Sequence, residues 1–189
     1  MLVKDVEEHD KRRIGEQLEP GGREKAPGRL ELLQRFVNTH NHDFPPDWDR
    51  IETGAKAQGW LREKGLIGAR EAVSDADAQR LRAFREALRA LIVGDAAALA
   101  PAQLTVTIDE HGHASLAPTA SGVEGAMATL LGIVHEAQLT GAWARLKGCR
   151  QCEYAFYDRS KNRSAAWCAM SICGNRTKNR AYYRRRRDR

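Results

Sequence analysis

Four cysteines occur in the chain: Cys149, Cys152, Cys168 and Cys173. Their spacing is C-x2-C, then fifteen residues, then C-x4-C. A Cys-x-x-Cys turn folds tightly enough to offer two thiolates to one ion, and a second pair from another element completes a tetrahedron. Four sulfurs leave no open position for water, so the chemistry expected is structural Zn2+ binding and not catalysis. A disulfide framework belongs to small secreted domains, and Met1–Arg23 is charged and lacks the apolar stretch of a secretory signal. A reducing, cytoplasmic setting is therefore expected. A redox Cys-x-x-Cys pair or buried free thiols are the competing readings, although no βαβ pattern surrounds the pair.

The last cysteine opens a second pattern. From Asn175 to Arg187 the chain has no helix breaker, and a helix there would be about 20 Å long. Residues 149–189 carry twelve Lys and Arg against three Asp and Glu, whereas residues 1–148 carry nineteen against twenty-two. A mildly acidic body joined to a strongly basic end is the pattern of an appended nucleic-acid-binding element. A helix charged nearly all round repels itself and gains most when phosphates neutralise it. Arg176, Lys178 and Arg180 are expected on the docked face, with Arg184 further along and Arg159, Lys161 and Arg163 added from the preceding turn. A solvated charged tail is the competing reading of the same charge.

The elements that must hold these groups are legible in outline. Between the cysteine pairs, Glu153–Asp158 and Ala165–Cys168 are expected as two strands of a hairpin turning at Ser160–Arg163, with Tyr154, Phe156 and Trp167 as a minimal apolar cluster. Such a module is too small to fold without its metal. Upstream, residues 1–26 form a polar arm, residues 27–147 a helical domain and residues 148–189 the zinc module. Leu30, Leu33, Phe36 and Val37 recur at helical spacing, and Asn38 to Trp48, with Pro45-Pro46, reads as a loop. Thr53 to Lys64 is a short helix. Asp75 to Val93 is a long one, capped by Ser74 and ended by Gly94. Leu104–Ile108 alternates and is β-branched, with His113–Leu116 as its return strand. Ser121 with Glu124 makes a capping-box signature for a last helix expected to run to about Leu146. The class is α+β: a mainly helical N-terminal domain with a small β-hairpin or sheet, plus the C-terminal zinc module.

No enzyme is expected. His135-Glu136 lacks the second histidine of a metalloprotease helix, because position 139 is Leu. No phosphate loop or dinucleotide fingerprint occurs. His40, His42, His111 and His113 read as loop and turn residues. Asn38 and Thr39 either line a ligand pocket or cap a turn by side-chain hydrogen bonds, with capping the better-motivated role. No run is apolar enough to span a membrane.

The cysteines together with Phe156-Tyr157-Asp158-Arg159-Ser160, Trp167-Cys168-Ala169-Met170 and Cys173-Gly174-Asn175-Arg176-x-Lys178 resemble the CGNR zinc-finger family. In that family the finger follows an ABATE domain, and Gly28-Arg29-Leu30, Phe36-Val37-Asn38-Thr39 and Trp60-Leu61 are similar to that domain's landmarks. The resemblance implies a treble-clef-like finger, with a knuckle, a hairpin and a helix whose start bears ligands. It also implies a stress-linked transcriptional regulator whose finger binds DNA. Two positions depart from the family pattern. Ala165 and Ala166 stand where members carry basic residues, and Arg35 stands where an acidic residue commonly precedes Phe36. The expectation is thus a zinc-dependent DNA-binding regulator whose N-terminal domain senses a small effector or forms a homodimer. The alternative is a zinc-stapled protein-interaction module or an RNA-binding protein.

Overall fold

The computed structural model describes residues 24–41, 48–95 and 97–187. The expected arm up to residue 23, His42 and the Pro45-Pro46 loop lie outside the described residues. Five helices and three two-stranded antiparallel sheets are described. Helix α1 is Leu30–Val37, and strands β1 (His40–Asn41) and β2 (Trp48–Asp49) pair His40 with Asp49. Helix α2 is Gly54–Glu63, opened by the Thr53 side chain accepting from the Lys56 N–H. Helix α3 is Asp75–Val93. Ser74 and Asp77 close a capping box at its start, and Gly94, at φ 88°, takes the left-handed turn that ends it. Strands β3 (Leu104–Ile108) and β4 (Ala114–Pro118) form the expected hairpin, its return strand reaching Pro118. Helix α4 is Gly122–Leu139.

One apolar core joins these elements. Leu33, Phe36, Leu61, Leu81, Leu88, Leu130 and Ile133 are buried within it, and Phe36 lies 5.6 Å from the Trp60 ring and 5.9 Å from that of Phe84. Burying each such side chain contributes about 1.5–3 kcal/mol, so the helical stripes read from the sequence are what assemble the body. Among the described residues no helix is long and apolar enough to cross a membrane.

The structure corrects three local readings. The Ser121–Glu124 capping box does not form: Ser121 makes no side-chain cap. Gly122, at φ 62°, turns the chain into the helix, and the Glu71 carboxylate accepts the Gly122 and Gly68 N–H groups from another loop. Glu124 pairs with Arg80 instead. Helix α4 stops at Leu139, seven residues early, because Gly141 is left-handed at φ 73° and a 3-10 turn over Trp143–Arg145 follows. Lys147-Gly148 is no mere boundary. Leu146–Gly148 is strand β5, paired with β6 (Ala155–Tyr157).

Candidate metal centre and nucleic-acid interface

The β5–β6 pairing sets the first half of the metal site. Gly148 lies opposite Ala155, so the hairpin turn is the Cys149–Cys152 knuckle itself. The Cys149 N–H donates to Tyr154 C=O at 2.9 Å, and the Glu153 N–H donates back to Cys149 C=O at 2.9 Å. Glu153 closes the turn at φ 57°, a left-handed conformation that costs a side-chain-bearing residue about 1 kcal/mol or more. The hairpin expected between Glu153–Asp158 and Ala165–Cys168 is therefore a misassignment. The partner of Ala155–Tyr157 is the strand before the knuckle, and Ala165–Cys168 is loop. A two-residue gap between cysteines already reverses the chain, so the nearest strand partner is the one the knuckle brings back.

The second half comes from a π-turn over Met170–Gly174 leading into helix α5, Asn175–Arg187. A Cβ at Gly174 would lie 2.2 Å from the Met170 sulfur, so a larger residue there would have to displace that side chain. The turn buries Cys173, whose N–H donates to Ala169 C=O at 3.0 Å. All four cysteines are buried, and their Sγ atoms lie within 4.8 Å of one another. Cys152–Cys168 is 3.6 Å, Cys168–Cys173 3.7 Å and Cys173–Cys152 3.5 Å. A disulfide would need about 2.05 Å. Four sulfurs each about 2.3 Å from a central ion stand roughly 3.8 Å apart, so the donor set fits one tetrahedral tetrathiolate ion.

Electrostatics point the same way. Hydrogen bonds from the Cys152, Cys168 and Cys173 thiols push the Cys149 thiol far below its ordinary range. The Cys149 contact, the other thiols and burial drive Cys152 far up. Four buried thiolates this close cannot coexist alone; a cation makes all four favourable at once. Tyr154 and Phe156 wall the cluster with partly buried Trp167, as expected, and Trp48 of β2 joins them from the helical body.

Asp158 fixes the loop between the pairs. Its buried carboxylate accepts from Lys147 Nζ at 2.7 Å and from the Ser160 and Ala165 N–H groups at 2.9 and 3.0 Å. Burial pushes its pKa up, but the Lys147 and Ser160 bonds outweigh it and hold the carboxyl well below the usual range. The folded pKa thus lies below the unfolded one. Its stabilisation is complete above about pH 4 and is lost as pH falls through the folded value. Asp158→Asn is expected to cost about 3 kcal/mol near neutrality. The difference from wild type should shrink below about pH 4, as read by paired urea titrations.

The finger is mounted on the body through polar contacts. The Asn38 carboxamide donates to Ala155 C=O at 2.9 Å and accepts the Ala155 N–H at 2.8 Å, as a neighbouring strand would. Thr39 is fully buried, donating to Phe36 C=O at 2.8 Å and accepting from Arg85 at 3.1 Å. Both side chains thus make capping and docking hydrogen bonds within the chain. Two further residues matter that the sequence pattern does not single out. Arg85 forks onto Asp49 at 2.8 and 2.9 Å, and Arg89 donates to Val37 C=O at 2.7 Å and to Glu153 C=O at 2.9 Å. A signal for them exists, because both fall on the stripe of α3 that buries Leu81 and Leu88. An open cleft of about 520 Å³ lies beside Arg85, lined also by His40, Trp48, Lys56, Arg82 and Glu86.

The basic residues divide. At 100° per residue, Arg176, Arg180, Arg184 and Arg187 fall within an arc of about 80° on α5, while Lys178 points about 200° from Arg176. The expectation that Lys178 shares the face of Arg176 and Arg180 is thereby corrected. Thr177 and Arg180 reach Gln151 of the knuckle at 3.4 and 3.5 Å, tying the helix to the first cysteine pair. Lys161 and Arg163 are exposed on the loop. Arg159 leans over the Tyr157 ring and bonds the Glu24 carboxylate at 2.9 Å, so it is engaged with the chain's own acid.

Residues 30–146 match the ABATE family model, whose description reads "Putative stress-induced transcription regulator". Residues 145–186 match the CGNR zinc finger. No curated protein matches the chain.

Proposed function

The chain belongs to the ABATE family and carries a CGNR zinc finger, and from that premise we propose that it is a zinc-dependent, DNA-binding transcriptional regulator without catalytic activity. The observation that carries the reading is the arc of four arginines on a helix that follows directly on the π-turn bearing Cys173 of the four-cysteine cluster. Cys149, Cys152, Cys168 and Cys173 hold Zn2+, which neutralises the thiolates and locks knuckle to helix. The helix presents Arg176, Arg180, Arg184 and Arg187 together, and phosphates satisfy charges that otherwise repel one another along the rod. Lys161 and Arg163 supplement them from the loop. Arg89 and Asn38 fix the finger's position on the helical body, so the recognition helix is aimed and not tethered. An effector, where the body takes one, has the cleft lined by Trp48, Lys56 and Arg82, in place of Asn38 and Thr39. A reducing cytoplasm suits thiols that must stay available to metal.

The reading is tested by binding the zinc-loaded chain to duplex DNA across a salt series. With about six phosphates contacted, log K should fall with log[salt] at a slope of about −5. A salt-independent affinity, or capture of an acidic protein that survives nuclease treatment while duplex does not bind, would reject DNA as the partner.

A further inference from the structure

Among the described residues neither edge of hairpin β3–β4 has a strand beside it; Pro118 interrupts the β4 edge, whereas β3 offers an uninterrupted one whose apolar face is only partly covered. The Asp109 N–H donates to His113 C=O at 3.0 Å, and the Thr119 N–H donates to Gln103 C=O at 3.4 Å. Bonded and non-bonded pairs alternate along an antiparallel ladder. Thr105 and Thr107 therefore exchange bonds with Ala117 and Ser115, and Pro118, which has no N–H, falls opposite Leu104 in a non-bonded pair. The N–H and C=O groups of Leu104, Val106 and Ile108 consequently point away from β4, and among the described residues they have no strand beside them. Native edge strands are usually guarded by Lys, Pro or a bulge; Leu104–Ile108 has none of these. The side chains of Leu104, Val106 and Ile108 share one face. Leu104 packs beside Gly132 of α4, whereas Val106 and Ile108 remain 64% and 71% exposed.

We infer that β3 is the seam of a homodimer, in which the β3 strands of two copies pair antiparallel about a two-fold axis through Val106. The occupant is a second copy because the strand is complementary to itself in that register. Leu104 lies opposite the partner's Ile108, Thr105 opposite the partner's Thr107, and Val106 opposite the partner's Val106. Apolar meets apolar on one face and threonine meets threonine on the other. All three outward-facing residues enter bonded pairs, giving about six backbone hydrogen bonds across the axis. Charge agrees. β3 is uncharged, and the acidic turns at Asp109 and Glu110 go to opposite ends of the seam, each beside the partner's uncharged stretch over positions 100–103. The axis is perpendicular to the sheet, so both α4 helices lie on the face where Val106 and Ile108 are exposed. A seam of five residues a side is small beside a standard interface of roughly 1,200–2,000 Å², so weak self-association is expected.

Sedimentation equilibrium of the zinc-loaded full chain across about 1–100 µM is expected to show a monomer–dimer equilibrium. Val106→Lys sets two ammonium groups against each other on the axis and should weaken the dimer at least about tenfold with an unchanged far-UV spectrum. Should that variant misfold, a cysteine pair decides. With diamide as oxidant, Val106→Cys should form an intermolecular disulfide, while Ile108→Cys, facing the partner's Leu104, should not. A monomer at every concentration, a dimer undiminished by a folded Val106→Lys chain, or equal cross-linking of both cysteine variants would overturn the inference.

Discussion

Stripping the metal is expected to melt α5 and the loop before it while leaving helices α1 to α4 and the β5–β6 hairpin folded. The split follows from where each piece is anchored. Leu146, Ala155 and Tyr157 belong to the main apolar core, and Ala155 is held by both bonds of Asn38, so the hairpin survives on contacts with the body. By contrast, α5 is thirteen residues long with a run of arginines and no acidic residue. An isolated helix of that length is marginal even without self-repulsion. Its start is tied to the finger by Cys173 in the preceding π-turn and by the contacts from Thr177 and Arg180 to Gln151. Metal binding, on the order of 10–16 kcal/mol, supplies most of the folding energy of that half. Hydrogen exchange after chelation should therefore lose protection over residues 166–187 and keep it over 146–148 and 155–157. Cys173→Ser should reproduce the pattern in the presence of zinc. Retained protection of α5 in the metal-free chain would mean that the helix does not depend on the cysteines, and the centre would lose its structural role.

The legible parts of this molecule are those where one local rule acts without competition. Helix α3 falls where Ser74 and Gly94 set it, because its cap, stripe and stop signal agree. The metal cluster is legible because only thiolates at such spacing have a chemistry of their own. Misreadings occur where a distant group displaces the local one. Ser121 and Glu124 carry the right types for a capping box, but Glu71, from a loop some fifty residues earlier, occupies the helix start and Arg80 takes Glu124. Turn residues at Ser160–Arg163 invite a finger hairpin that pairs forward along the chain, whereas Lys147 and the buried Asp158 carboxylate occupy that loop with a part-buried ion pair. Buried Arg85 and Arg89 are marked in the sequence only by their place on the stripe of Leu81 and Leu88, and their charge masks that signal because charge is normally a mark of surface. Only the fold supplies the carbonyls and the Asp49 carboxylate that make their burial tolerable. Burial pushes Asp49 up, yet the bonds from Arg85 and the Ile51 N–H leave it below the ordinary carboxylate value, so the pair is ionised where it is buried.

Neutralising Arg176, Arg180 and Arg184 together is expected to weaken duplex binding about a hundredfold near physiological salt, whereas Lys178→Ala should change it little. Each lost phosphate contact removes about 0.9 from the slope of log K against log[salt]; extrapolated from a molar reference state, three contacts amount to roughly two decades. The slope should flatten by about 2.7 in the triple variant. That second readout separates lost contacts from lost folding, since a chain that is merely less stable binds less without changing its charge dependence. The contrast with Lys178 follows from helix geometry. A residue two positions from Arg176 stands on the far side of the rod, however basic the neighbourhood. Alanine favours helix, so the substitutions should not unwind α5 through propensity, and loss of the Arg180 contact to Gln151 is separated from loss of phosphate contacts by the slope. Equal losses for Lys178→Ala and Arg180→Ala would mean that the rod acts as an undirected cloud of charge, and the arc of arginines would carry no recognition.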